Sequence, residues 1–377
     1  MAAMLDSPSM PDLNLGREHA LAALLAETGY ADSERRPLAG DASTRRYERL
    51  ILPDRPAILM DAPPNNETPP CPPDADEARR LALGWNATAR LAASRVEAFV
   101  AVAQHFTHCG FSAPAIYGAD VDTGYAVVED LGDALFANVL RDGGDEIALY
   151  EAAASLLADL HARPLPRWLP APGAITAWPL LDYDRLALSA NADLFVEWFP
   201  KLAGEASATE AMRVRWERVR DGLIDQALSF PRAFTIRDYH AENLIWLPAR
   251  EGVARVGLLD FQDAIRGWRG WDFSMLLHDA RRDVSPAAAE AAIGAYLRET
   301  GADEAAFRRE LCVLGALNTL RIIGVFSRLV GRDGKARYLE FMPREWGHLA
   351  AILRHPSLAE MAAFVDDFAG AHLRAAA

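Results

Sequence analysis

Lysine is almost missing from this chain. Of its 39 basic residues only Lys201 and Lys335 are lysines, and none precedes residue 201. A phosphate-binding lysine in the first half is therefore excluded, and any cation needed there must be an arginine. Cysteine is scarce as well. Cys71, Cys109 and Cys312 are too few and too scattered for a disulfide framework or a cysteine metal cluster, and a reducing compartment fits them. Positive charge is in deficit: the formal charge of -14 leaves no basic surplus for a general nucleic-acid binder. No apolar run approaches the roughly 18 residues of a membrane span. The opening stretch MAAMLDSPSMPDLNLGREHA carries early acids and lacks the apolar core of a signal peptide. These absences predict a cytoplasmic chain with neither a membrane nor a nucleic acid as partner.

What is present is a globular composition, 51% hydrophobic and 24% charged over 377 residues, which is ample for two lobes. Residues 17–29 have helical apolar spacing and stop at Gly29. Tyr47, Leu50 and Ile51, then Ala57 to Met60, predict two strands joined by a Pro-Asp turn. PPNNETPPCPPDADE is proline-rich and polar, hence a loop or linker. Leu81 to Phe106 returns to a helical period, and GYAVVEDLGD is a strand running into a glycine-containing connection. Beyond about residue 134 helical patterns dominate, as in EIALYEAAASLLADLHA and AMRVRWERVRDGLIDQALS. They are interrupted by the strand-like runs AFTI, NLIWL and VGLLDF. The expected organisation is a small β-rich lobe over 1–130, with a proline-rich insertion at about 63–77, and a larger helical lobe over 131–377.

Chemistry concentrates in two stretches. In TIRDYHAENLIWL, Asp238 and Asn243 form a polar island between two apolar runs. Their spacing, D-x-x-x-x-N, is that of a phosphotransferase loop in which the Asp meets a hydroxyl proton and the Asn a divalent metal. A plain hairpin turn accounts for Asp and Asn equally well in isolation. The second stretch, GLLDFQDA, ends an apolar strand at Asp260. A short hairpin between Asn243 and Asp260 returns this carboxylate to the same end of the sheet as Asp238. Mg²⁺ prefers such hard oxygen donors together with nucleotide phosphates, so Asn243 and Asp260 are the candidate metal residues and Asp238 the candidate base.

With these residues in view the chain resembles the aminoglycoside-phosphotransferase and choline-kinase-like small-molecule kinases. That resemblance implies an α+β, protein-kinase-like bilobal fold and the cofactors ATP and Mg²⁺. The group commonly reads H-x-D-x-x-x-x-N, whereas Ile236 stands here at the His position. Asp272 falls where the group often has an Asp bracing the catalytic loop; a helix N-cap is the simpler reading of it. GDASTRRYERL, ILMDAPP, VVEDLGD, RDYHAENL, LLDFQDA, RDGKARYL and PREW are similar, in this order, to bacterial anomeric kinases of N-acetylmuramate and N-acetylglucosamine, over about residues 36–356. This implies a small amino-sugar substrate phosphorylated at C1, in cell-wall sugar recycling.

The resemblance also distributes roles. Met60 or Asp61 stands where ordinary kinases carry a strand lysine, so Arg45 and Arg46 are the candidate phosphate-binding cations. A solvated pair at a strand edge is the alternative for either. Gly40, Ser43 and Thr44 would form the turn whose amides approach the phosphates, and backbone near Glu129 and Leu131 would take the adenine. Glu97 is a possible counterpart of the kinase helix glutamate, and more simply a residue facing solvent. Asn191, Asp193 and Trp198, with Gln262 and Asp263, are the candidate substrate residues; the family usually has a Glu in line with Asn191. His161 and His240 do not make a zinc site. An amine-acceptor kinase of the same fold and a nucleotide-binding pseudokinase stay open as other readings.

Overall fold

The computed structural model describes residues 10–38, 45–64, 68–92, 95–173, 177–204 and 209–376. Helix α1 (Met10–Thr28) ends where Gly29 turns at φ +78°, the left-handed region that glycine enters without a Cβ penalty. Five antiparallel strands follow: β1 (Glu34–Pro37), β2 (Arg46–Ile51), β3 (Ala57–Asp61), β4 (Ile116–Asp120) and β5 (Tyr125–Glu129), in the order β1-β2-β3-β5-β4. Strand periodicity divides their side chains between two faces. Leu50, Leu59, Tyr125 and Val127 pack under α1 with Leu24 and Leu25. Met60, Ala126 and Val128 point the other way, into a core shared with Phe99, Val102 and Phe106. Strands β1 and β4 were not expected from sequence. β1 reads ERRP, fully exposed, and its ladder position against β2 is what makes it a strand.

The helical run expected from Leu81 to Phe106 is broken. It comprises α2 (Glu77–Leu83), one π-helical turn (Asn86–Arg90) and α3 (Val96–His108). Leu91, at φ +61°, closes the π turn, and its amide donates to Asn86 O. The preceding turn serves a tertiary purpose that periodicity cannot reveal. Arg80 pairs with Asp184, and Cys71, Ala87 and Leu91 pack in the same apolar cluster as Leu188, Phe195 and Trp271. Residues 71–91 thus lie against the helical part of the molecule, although they precede β4 and β5 in sequence.

Beyond β5 come α4 (Phe136–Arg141), α5 (Glu146–Ala162), the ribbon of β6 (Trp168–Pro170) and β7 (Ala177–Pro179), α6 (Arg185–Ala203) and α7 (Glu210–Ser229). Two further ribbons carry the candidate chemistry. β8 (Ala233–Thr235) pairs with β11 (Ile265–Gly267), and β9 (Leu244–Trp246) with β10 (Val256–Leu258), both antiparallel. Five helices complete the chain: α8 (Arg269–Leu277), α9 (Pro286–Thr300), α10 (Glu304–Gly331), α11 (Met342–Ile352) and α12 (Ala359–Ala376). Asp145, Asp184, Thr209, Ser285 and Asp303 cap α5, α6, α7, α9 and α10, each side chain accepting an otherwise unpaired first-turn amide.

Helix α10 is long and apolar enough to cross a membrane, but 72% of that stretch is buried within the protein, where it serves as a core helix. It lies against α6 at very close range. A Cβ on Gly324 would sit 2.4 Å from the carbonyl carbon of Leu194 and 2.6 Å from the Phe195 nitrogen, both backbone atoms. Gly324→Ala should therefore push the two helices apart. We expect a loss of about 1–3 kcal/mol or more, measured by chemical denaturation; unchanged stability would show that α6 and α10 can separate freely.

Candidate active site

The catalytic-loop segment leaves β8 at Thr235 and turns sharply. Arg237 adopts φ +81°, a conformation that costs a non-glycine residue about 1–3 kcal/mol unless its surroundings impose it. The surroundings do so. The Asp272 carboxylate, in the first turns of α8, accepts the amide of Ile236 at 2.8 Å and that of Arg237 at 2.9 Å. Asp272 is not the N-cap, which is Trp268; it sits inside the helix and faces the loop. Tyr239 donates its hydroxyl to Ala153 O at 2.8 Å, tying the loop to α5. Asn243 donates from Nδ2 to the Asp238 carbonyl at 2.9 Å, and its own carbonyl accepts the Leu259 amide at 2.9 Å. The β9–β10 hairpin thereby returns Asp260 beside the loop. Asp260 itself has φ +53°.

Asp238 and Asp260 line one cleft of about 190 Å³ with His240, Met275, Asp279, Arg281, Arg321, Ile322, Val325 and Phe326. Burial raises the Asp238 pKa above the ordinary carboxylate value, and the neighbouring Asp260 and Asp263 charges raise it further; Arg321 and Arg237 pull against them. Asp263 goes the other way. Burial would raise it, but Arg90, bound to both oxygens at 2.5 and 2.9 Å, holds it below the usual range. His240 is kept neutral by burial, and its Nε2 lies 3.2 Å from Asn243 Nδ2.

The expected cations divide. Arg45 is buried and reaches across from the sheet, with one nitrogen on the Asp260 carboxylate and another 2.5 Å from Gln262 Oε1. Gln262 in turn donates to Asp260 at 3.0 Å. Arg46 points outward, its side chain 72% exposed, and pairs with Asp61 on β3, which also binds Arg17. The strand-edge reading therefore describes Arg46, not Arg45. Of the two residues in line with the absent lysine, Met60 is core and Asp61 is paired with Arg17 and Arg46. Glu97 does not face solvent: it is buried and paired with Arg95. Gly40, Ser43 and Thr44 lie outside the described residues.

Glu129 has its amide on Ala115 O at 2.8 Å and its carboxylate on Arg250 at 2.6 Å. Leu131, two residues on, is half-buried beside Gly257. The three substrate candidates on α6 do not converge. Asn191 is buried with its amide nitrogen on Ala89 O, Ala187 O and the Tyr183 hydroxyl. Asp193 binds Trp216 and Arg220 in a separate cavity between α6 and α7. Trp198 stacks under Lys201, whose nitrogen is 4.2 Å from the ring centre. Gln262 and Asp263 do lie at the site, bound to Arg45 and Arg90. Sequence reasoning missed Arg321 and Asp279. Arg321 carried a signal, being a lone cation inside the apolar run LGALNTLRIIGVF of a core helix.

A small antiparallel sheet beside a mainly helical part, with Asp238, Asn243 and Asp260 gathered by loop and hairpin and Arg45 reaching Asp260 from the sheet, defines a kinase-type phosphotransferase. The chain belongs to the phosphotransferase enzyme family, whose profile matches residues 34–310. It is a kinase, and this family implies ATP as the phosphoryl donor. Over 94% of its length it is 49% identical to the N-acetylmuramate/N-acetylglucosamine kinase of Caulobacter vibrioides, covering 98% of that protein. The kinase of the same name from Pseudomonas aeruginosa is 30% identical over 95% of this chain and 96% of its own. Among solved structures, a choline/ethanolamine kinase family protein from Mesorhizobium loti superposes with TM-score 0.57 at 15% identity, over 94% of this chain and 99% of its own. An ADP-bound aminoglycoside phosphotransferase gives 0.54 at 14% identity, over 92% and 98%. These two similarities concern the fold.

Asp272 also sets a pH dependence. Burial pushes its carboxyl up to about 7, against the two amide donors. An unfolded Asp titrates near 3.9, so between about pH 4 and 7 the folded state holds the extra proton. The stability contribution of this group is present below pH 4 and is lost as the pH rises to 7. Asp272→Asn removes the titration and leaves one amide without an acceptor. It should cost about 1–3 kcal/mol and flatten the decline between pH 4 and 7; an unchanged slope in denaturation series would contradict this.

Proposed function

We propose that this kinase transfers the γ-phosphoryl group of ATP to the anomeric hydroxyl of N-acetylmuramate and N-acetylglucosamine, yielding sugar 1-phosphates for cell-wall sugar recycling. The observation that carries the reading is the shared cleft: Asp238 and Asp260 face one small space with an apolar wall of Met275, Ile322, Val325 and Phe326. The names of the relatives supply the substrate class. In this reading residues 1–130 form the nucleotide lobe and 131–377 the catalytic and acceptor lobe. The exception is the segment from Cys71 to Leu91, which travels with the latter.

Asp238 is the base. Its carboxylate, lifted by burial and by two neighbouring aspartates, is poised to accept the hydroxyl proton as the phosphoryl group leaves ATP. Asn243 and Asp260 would hold Mg²⁺. The residues fit that role: Asn243 commits its nitrogen to the Asp238 carbonyl, which leaves Oδ1 for a metal, and Asp260 adds a carboxylate where three acids crowd together. A divalent cation here neutralises charge on the transferring phosphoryl group. Arg45 brings the guanidinium that the absent strand lysine does not supply, and Gly40, Ser43 and Thr44 with backbone near Glu129 and Leu131 would complete the nucleotide site. Closure of the two lobes excludes water and limits ATP hydrolysis.

The three cleft aspartates, Asp238, Asp260 and Asp279, also favour a second reading, an amine-bearing acceptor; Arg281 and Arg321 in the same cleft oppose it. The test is ADP release with Mg²⁺ over N-acetylmuramate, N-acetylglucosamine, galactose, choline and kanamycin, with Asp238→Asn in parallel. Sugar-dependent release should fall at least about 10²-fold in that variant, with ATP binding and the melting transition retained. Release with kanamycin alone would move the enzyme to the amine branch, and silence throughout would favour a pseudokinase.

A further inference from the structure

Helix α10 carries a cation that the chemistry above leaves without a task. Arg321 lies midway along this core helix and lines the cleft with Asp238. Its Nε and Nη2 both donate to Asn318 Oδ1, at 3.0 and 2.8 Å, a neutral acceptor one turn earlier. Its guanidinium carbon stands 5.7 Å from the centre of the Trp271 ring. Among the described residues no carboxylate lies within ion-pair distance of it. Burial depresses its pKa and the neighbouring Arg237 adds to this, while Tyr183, Asp238 and Glu345 pull the other way. A half-buried guanidinium held by one neutral amide oxygen keeps donors to offer a ligand. The other cation of the cleft, Arg281, is already bound to Glu242 at 2.7 Å.

The geometry points to Arg321 as the specificity-determining residue of the acceptor site, binding the carboxylate of an acidic sugar whose anomeric hydroxyl faces Asp238. This rests on the sugar-kinase reading. N-acetylmuramate and N-acetylglucosamine differ at O3, which carries a lactyl carboxylate in the first and a hydrogen in the second. Without Arg321 the cleft presents Asp238, Asp260 and Asp279 to that carboxylate, and like charges at short range in a partly dry site repel strongly. With it, a planar guanidinium meets a planar carboxylate, a pairing that two parallel hydrogen bonds make both strong and directional. The same cation disfavours polycationic acceptors, so one residue would select for the acidic sugar and against amines.

The measurement is kcat/KM for both sugars in the wild type, Arg321→Gln and Arg321→Lys. The expected result is a shift in the ratio of the two values toward N-acetylglucosamine of about 30-fold or more in Arg321→Gln, partly restored in Arg321→Lys. A ratio that stays within roughly threefold while both activities fall together would overturn the assignment and make Arg321 a support for the loop. As a check independent of variant folding, wild-type enzyme is given N-acetylmuramate and its lactyl methyl ester. The ester should be the poorer substrate by about tenfold or more, and equal turnover would likewise sink the idea. Wild-type inactivity toward both sugars is a different outcome: it would remove the function proposed above, and this assignment with it.

Discussion

Two amide protons that would otherwise have no partner meet one carboxylate, and the candidate active site hangs from that contact. Asp272 holds the amides of Ile236 and Arg237. With both occupied, Arg237 is kept in a left-handed conformation that it would not otherwise favour, and the chain emerges with Asp238 aimed into the cleft. Related loops place a histidine at the position of Ile236, where it supports the loop. Here Ile236 is buried among apolar neighbours and offers no side-chain hydrogen bond. Support comes from outside the tripeptide: Asp272 from α8, Tyr239 reaching Ala153 on α5, and Asn243 returning to the Asp238 carbonyl. The brace is backbone-directed and does not depend on which side chain stands at 236.

Three arginines bridge elements far apart in sequence. Arg45 runs from the start of β2 to Asp260 and Gln262, Arg90 from the π turn to Asp263, and Arg49 from β2 to Asp130 and Asp133 after β5. The fork of a guanidinium allows one side chain to hold two acceptors at once, which an ammonium does less directionally. The sheet is thereby fastened to the catalytic loops through charged contacts and not through a shared apolar face alone. Met60 is core, and the cation paired with Asp260 is Arg45, just before the neighbouring strand.

What could be read beforehand was whatever depends on local pattern. D-x-x-x-x-N, a hairpin and a strand ending in Asp260 required only spacing and the pairing of β9 with β10, and these gather Asp238, Asn243 and Asp260. Helices α5 and α7 follow from their apolar period. The failures share a cause, which is that tertiary partners overrode or redirected a local signal. Leu91 has no glycine to announce its left-handed turn. β1 is a polar edge strand with no apolar alternation to find. On α6, Asn191 and Asp193 stand about 200° apart around the helix axis and could not both face one ligand. One lies against the π turn and the other against α7. Alignment with a family pattern preserved their order in sequence while losing the direction in which each points.

The same reasoning makes α10 a better carrier of specificity than the loops around the cleft. Gly324, one turn beyond Arg321, allows the backbones of α10 and α6 to touch, and a helix packed at that range has little freedom to rotate or slide. Asn318, one turn before, grips the guanidinium from the other side. A guanidinium anchored to its own helix in this way has less ordering left to do when a ligand arrives. Arg281, by contrast, is already paired with Glu242. In the proposal made for Arg321, the helix supplies the fixed platform and the guanidinium the charge that recognises the acceptor.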